Sequence, residues 1–246
     1  MGSAMSDKHT VRSIIKDLTP PLIWRSLRDA KLRLKKYHGA YGIDAHIEKY
    51  LDYRNGYYVE LGAADGIGFS NTLFFELHKN WSGILIEPSA NNFLQCLANR
   101  SSQNTFFCNA CTSFDYADKF VEMIYAHYMS AAIGLESDIA DPEEHALSGS
   151  KYLASETERV FRYGAIARPL NDLLIEARAP KLIDFLSLDV EGVEIEVLKG
   201  VDHATYKFKL MCIETRSPEV LTAYLSQYGY IHKEKISHHD HIFLLR

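Results

Sequence analysis

From Gly56 onward the chain alternates short β-rich runs with helical runs, and this alternation restricts the fold more than any other feature of the sequence. Strand, helix and strand repeated in this way build a parallel sheet covered on both faces, because each crossover helix buries its apolar stripe on the sheet it connects. Strands are expected at Tyr57–Leu61, Gly83–Glu87, Thr105–Asn109, Ile183–Asp189 and Lys209–Glu214. Helices are expected at Ser70–Lys79, Ala90–Asn99, Glu191–Leu198 and Glu219–Tyr228. Tyr230–Ile236 and His241–Leu245 read as two further strands around a turn at Ser237–Asp240. The expectation is an α/β fold with about seven strands, mostly parallel, ending in an antiparallel hairpin.

Two regions depart from this rhythm. The interval 116–166 is too long for one crossover, and its helical patches around Phe120–Tyr128 and Lys151–Phe161 flank an acidic loop at Glu136–Glu144. A helical, cap-like insertion that selects substrate is expected there. Residues 1–55 read as an N-terminal helical extension preceded by an expression remnant at Met1–Met5, so that the domain proper is 56–246. Within 11–40, Pro20 and Pro21 lead into a stretch carrying Arg25, Arg28, Lys31, Arg33, Lys35 and Lys36 opposite Leu22, Ile23, Leu27, Leu32 and Leu34. This pattern predicts a basic amphipathic helix, packed on the domain edge or touching a membrane surface or a lipid-linked substrate.

Charge and composition exclude several classes. A formal net charge of −5 argues against a surface shaped for nucleic acid, which relies on clustered Lys and Arg, so no nucleic-acid partner is expected. No apolar run reaches the ~20 residues of a membrane span, and no secretory signal is read. Cys96, Cys108, Cys111 and Cys212 lie scattered in apolar stretches, which suits reduced thiols and a cytoplasmic protein better than a disulfide framework.

The strongest local motif is Val59-Glu60-Leu61-Gly62-Ala63-Ala64-Asp65-Gly66, an apolar strand that ends in an acid and turns through glycines. Gly62 and Gly66 are expected to let the backbone pass close to a cofactor. Glu60 or Asp65 would pair with a cationic amino group, and amides near Ser70 and Asn71 would hold a carboxylate. The next strand ends in Ile86-Glu87-Pro88, placing an acid about 20 residues beyond the glycine turn, where it can accept ribose hydroxyls. That logic serves NAD and S-adenosylmethionine alike. The turn separates them, because Gly-Ala-Ala-Asp-Gly lacks the Gly-x-Gly-x-x-Gly arrangement suited to a pyrophosphate, and S-adenosylmethionine has no phosphate. Expected cofactor contacts are Glu60, Gly62, Ala63, Asp65, Gly66, Ser70, Asn71, Glu87, Pro88 and Asn109.

With these motifs the chain resembles the FkbM family of methyltransferases from about residue 56 to the C-terminus. The resemblance rests on Val59–Thr72, Gly83–Pro88, Pro169–Leu174, Asp184–Gly200 and His239–Phe243; the Asp189-Val190-Glu191-Gly192 segment closing in Glu196-Val197-Leu198-Lys199-Gly200 is the most specific. It implies the Rossmann-like fold of class I methyltransferases and, usually, O-methylation of a sugar, glycan or natural product.

Methyl transfer to a hydroxyl needs a general base or a metal that lowers the hydroxyl pKa. Asp189 ends one strand and Glu214 the next, and His239 sits in the terminal turn, all at the edge where such sheets place ligands. These three are the expected catalytic residues. As alternatives, Asp189 caps the following helix, Glu214 satisfies backbone amides, and Glu191 is an acid in a helix's first turn. The run His238-His239-Asp240-His241 raises a divalent metal, but adjacent strand residues face opposite ways, so all four cannot ligate one ion; a metal stays an open alternative and no metal ligands are assigned. N-methylation of a small amine and a non-catalytic nucleotide-binding module are the competing readings.

Overall fold

The computed structural model of the chain describes residues 30–153 and 158–246. Within it a seven-stranded mixed sheet is assembled from β1 (Tyr57–Leu61), β2 (Ser82–Ile86), β3 (Thr105–Phe107), β8 (Leu182–Leu188), β9 (Lys207–Glu214), β10 (Tyr230–Lys235) and β11 (Asp240–Leu245). The strand order is β10-β11-β9-β8-β1-β2-β3. β3, β2, β1, β8 and β9 pair in parallel, while β11 is antiparallel to both β9 and β10. The order reverses beside β1: the chain leaves it toward β2 and returns to its other side as β8. Both strands then end at the same edge, with Leu61 opposite Leu188.

The central strands are buried on both faces, which is why β1 and β8 read as nearly unbroken apolar runs. One face carries Val59, Ile84, Leu186 and Met211 against α5 (Leu170–Glu176) and α6 (Glu194–Lys199). The other carries Tyr58, Leu85, Phe185 and Cys212 against α1 (Ile43–Glu48), α2 (Leu73–Lys79) and α3 (Ala90–Asn99). Ile43, Ile47 and Leu51 are buried in that second core, so the compact unit spans 37–246 and begins ahead of the boundary expected at 56. In the remaining unit, residues 30–34 are helical. The rest of the basic helix expected over 11–40, with Met1–Met5, lies outside the described residues. Among the described residues no helix is long and apolar enough to cross a membrane.

The insertion is not the helical cap the sequence predicts. It is built around a second sheet of β4 (Ala110–Thr112), β5 (Phe120–Tyr125), β6 (Ala131–Ile133) and β7 (Phe161–Pro169), in the order β4-β7-β5-β6. Phe120-Val121-Glu122-Met123 alternates exposed and buried, the period of a strand with one face on a core. Among the described residues of the insertion, helical structure is confined to α4 (Pro142–Ser148) and short 3-10 turns such as His127–Met129. The acidic loop is tied to the main sheet: Asp138 accepts from the Thr215 hydroxyl at 2.7 Å and the Arg216 amide at 2.6 Å, and its own amide donates to the Gly192 carbonyl.

Candidate active site

At the carboxyl ends of β1, β2 and β8 a cavity of about 420 Å³ opens between the main sheet and the insertion. Its floor is the turn after β1. Gly62 has φ +75°, and a Cβ there would stand 1.9 Å from the Asp189 carbonyl oxygen, so β1 and β8 can end this close only with glycine. Gly66 is required by packing of another kind: a Cβ would press on Arg100 and Cys96 of the α3 region, and the residue does not line the cavity.

Of the expected cofactor contacts, Glu60, Gly62, Ala63, Ser70, Asn71, Glu87, Pro88 and Asn109 line the cavity, while Asp65 and Gly66 do not. Two assigned roles change. The Glu60 carboxylate is already occupied by the Ser70 and Thr72 hydroxyls, the Asn71 amide and the buried Arg100 guanidinium at 3.2 Å. It is therefore a structural anchor, not the partner of an amino group. Asp65 turns its carboxylate back onto the amides of Ile67 and Gly68, fixing the loop. The amides of Ser70 and Asn71 also have internal acceptors, the Ile67 carbonyl and Glu60, and are not free to hold a carboxylate.

Glu87 keeps capacity for a ligand. Each of its oxygens accepts one backbone amide, from Ala64 at 2.9 Å and from Ser89 at 2.8 Å, leaving further lone pairs. Burial pushes its pKa up to about 7, against the lowering effect of those amides and of Asn92. Two more polar atoms are conspicuous. Among the described residues, Asn71 Oδ1 and His127 Nδ1 are the buried side-chain atoms without a hydrogen-bond partner that belong to cavity-lining residues.

The catalytic candidates separate. Asp189 lines the cavity and is exposed into it, while the protein packed around it and the neighbouring Glu214 and Glu191 carboxylates raise its pKa well above the usual range. It does not cap α6, whose preceding amides at Val190 and Gly192 are held by Glu194. Glu214 stands behind Asp189 and outside the lining; Asp189, Glu194 and Glu214 have oxygens within 4.8 Å of one another. His239 is exposed and does not reach the cavity, although its carbonyl accepts from the Thr215 amide. The histidine run does not converge: His241 is buried and pairs with His232 at 2.9 Å, and His238 packs edge-on against Tyr41 at the rim.

Sequence reasoning missed several lining residues. Glu191 does not begin a helix, since α6 starts at Glu194; it lies in the turn with φ +59°, lines the cavity and meets His145 of α4 at 2.6 Å. Tyr41, Phe69, His127, Tyr128 and Tyr152 form an aromatic wall. Tyr41, Ala64, Phe69, His127 and Glu191 are five of the eight described non-glycine residues with positive φ, so the strained backbone collects around this cavity, as it does around functional sites. Ala64 and Phe69 lie in the Val59–Thr72 segment and Glu191 in the Asp-Val-Glu-Gly segment, but no motif in a single sequence marks Tyr41, His127, Tyr128 or Tyr152.

The sequence matches the family described as Methyltransferase FkbM domain over residues 60–232, well over half of the chain. The chain belongs to this family. The match takes in the glycine turn after β1, the acid-ending strand β2, the Asp189 turn and the whole second sheet, so all of the cavity lining except Ala40 and Tyr41 lies within the FkbM domain. A crystal structure of methyltransferase FkbM from Methylobacillus flagellatus KT is 17% identical, with 77% of this chain and 43% of that one covered and a TM-score of 0.45. This FkbM domain thus spans less than half of that protein. No curated protein matches the sequence significantly.

Proposed function

We propose that this FkbM domain is an S-adenosylmethionine-dependent O-methyltransferase of the class I, Rossmann-like kind, acting on a hydroxyl of a sugar, glycan or natural product. One observation carries the cofactor reading: among the described residues the lining contains the carboxylates Glu87, Asp189 and Glu191, besides Glu60 already paired with Arg100, but no lysine or arginine. Such a wall has nothing to neutralise a pyrophosphate and suits a cofactor whose charge is a sulfonium and an ammonium. Calorimetry should show S-adenosylhomocysteine binding and no heat from NAD; the reverse would discard the reading.

S-adenosylmethionine supplies an electrophilic methyl group on a cationic sulfur. The chain's own part is to place the acceptor and take its proton. Asp189, at the cavity end of β8, is the base, because its raised pKa makes its ionised form a stronger proton acceptor than an ordinary carboxylate. The aromatic wall offers flat apolar faces to a ring-bearing acceptor. The same lining also favours a small amine, since Asp189 and Glu191 would attract its ammonium form; a methyl-transfer panel of neutral glycosides against primary amines separates the two.

Glu87 is placed to accept the ribose hydroxyls. Glu87→Ala should weaken S-adenosylhomocysteine binding by roughly 1.5–3 kcal/mol, the value of a hydrogen bond to a charged group. The ionised form is the better acceptor, so affinity should rise with pH through about 7. Glu87→Gln should flatten that profile; an unchanged slope in the variant would assign the titration elsewhere.

A further inference from the structure

We propose that His127, supplied by the insertion, is a cofactor-binding residue that donates through Nδ1 to a ribose hydroxyl already engaged with Glu87. This rests on the reading of the cavity as an S-adenosylmethionine site. The residue is 7% exposed, lines the cavity, and its Nδ1 has no partner within the protein. A buried polar atom left in that state costs free energy unless a ligand or water satisfies it. The backbone is also held in an uncommon form: φ is +59°, a region that only a few per cent or so of residues bearing a side chain adopt.

That conformation is enforced from two sides. The His127 carbonyl accepts from Ser130 Oγ at 2.8 Å, and the same hydroxyl accepts the Ala126 amide at 3.0 Å, closing the 3-10 turn. The His127 carbonyl also accepts from Asn92 Nδ2 at 3.5 Å. Asn92 is fully buried on α3, and its side-chain amide also favours the ionised form of the Glu87 carboxylate. One amide therefore links the main-chain turn that presents His127 to the carboxylate that presents the ribose acceptor. A hydroxyl between them can donate to Glu87 and accept from His127, using both of its hydrogen-bonding roles. The insertion then contributes to cofactor binding as well as to the acceptor side.

The test is a cycle between variant and ligand on the full chain. Wild type and His127→Ala are titrated calorimetrically with 5′-methylthioadenosine and with its 2′,3′-dideoxy analogue, and S-adenosylhomocysteine is titrated in parallel. Losing the imidazole should weaken the hydroxyl-bearing ligands about 5- to 10-fold, the size of one hydrogen bond, and the dideoxy analogue less than about 2-fold. His127→Asn, which tolerates the same backbone region and keeps a donor, should recover part of the affinity. Equal losses on both ligands, or none on either, with wild type binding S-adenosylhomocysteine, would overturn the role of His127 alone. Wild type failing to bind S-adenosylhomocysteine would overturn the cofactor reading and this inference with it.

Discussion

Asp189→Asn should lower methyl transfer by about 10²-fold or more, the usual scale for removing a general base, while S-adenosylhomocysteine affinity changes by no more than about 2-fold. The reasoning is positional. β8 is buried through Ile183, Phe185, Leu186, Ser187 and Leu188, and the first side chain beyond it that opens on the cavity is Asp189. Asparagine keeps the shape and the packing against Gly62, where only the Asp189 backbone makes the close approach. It removes the charge alone. Burial, with repulsion from Glu214 and Glu191, raises the Asp189 pKa, so in the wild type the rate should climb with pH as that raised pKa is passed and the carboxylate ionises. A variant with normal turnover would transfer the role to Glu191, the other cavity carboxylate of the same turn. A variant that lost S-adenosylhomocysteine binding outright would make Asp189 a cofactor residue.

The strands of the main sheet were legible because they are apolar runs cut by glycine or ended by an acid, and observed ends differ from the expected ones by a residue or two: Gly83–Glu87 is Ser82–Ile86, and Lys209–Glu214 is Lys207–Glu214. Helix Ala90–Asn99 coincides with its expected span. The insertion was misread because Met123, Ile124 and Tyr125 are all buried, and an apolar run on one short strand looks the same as a helical stripe. Within the site, proximity to glycine was the legible part and the state of each carboxylate was not. Glu60 ends a strand in the manner of a ligand-binding acid, but the guanidinium that occupies it comes from Arg100, 40 residues away, with no motif around it. Glu191 was assigned to a helix that begins three residues later, because Gly192 at φ +104° prolongs the turn. His127 and Tyr128 carry no sequence signal at all; only folding of the second sheet against the first brings them to the cavity.

Arg100→Ala should destabilise the fold by about 3–5 kcal/mol, as expected when one member of a buried charge network is removed. Arg100 is 1% exposed, and its guanidinium donates to Glu76 at 2.9 Å, to Glu60, Ser70 and the Gly66 carbonyl at 3.2 Å each, to Tyr58 at 2.8 Å and to Thr72 at 2.9 Å. The truncation strands two buried carboxylates and frees the loop that forms the cavity floor. Stability against pH gives the diagnostic sign. Burial pushes Glu76 up, but the Arg100 guanidinium outweighs it and holds the pKa below the ordinary carboxylate range. In the wild type this group therefore contributes stability above its unfolded pKa and loses it as pH falls through the folded one. Without Arg100 burial is opposed only by the hydrogen bonds from Asn104 and the Ser101 amide; the folded pKa should then rise above the unfolded value and the contribution reverse, so that the variant gains stability as the medium is acidified from neutral toward pH 5. Urea unfolding of both proteins across that range measures the two slopes. Parallel slopes would mean that Glu76 is relieved by water or a neighbour in the variant, and that Arg100 stabilises the cavity floor by packing rather than by charge.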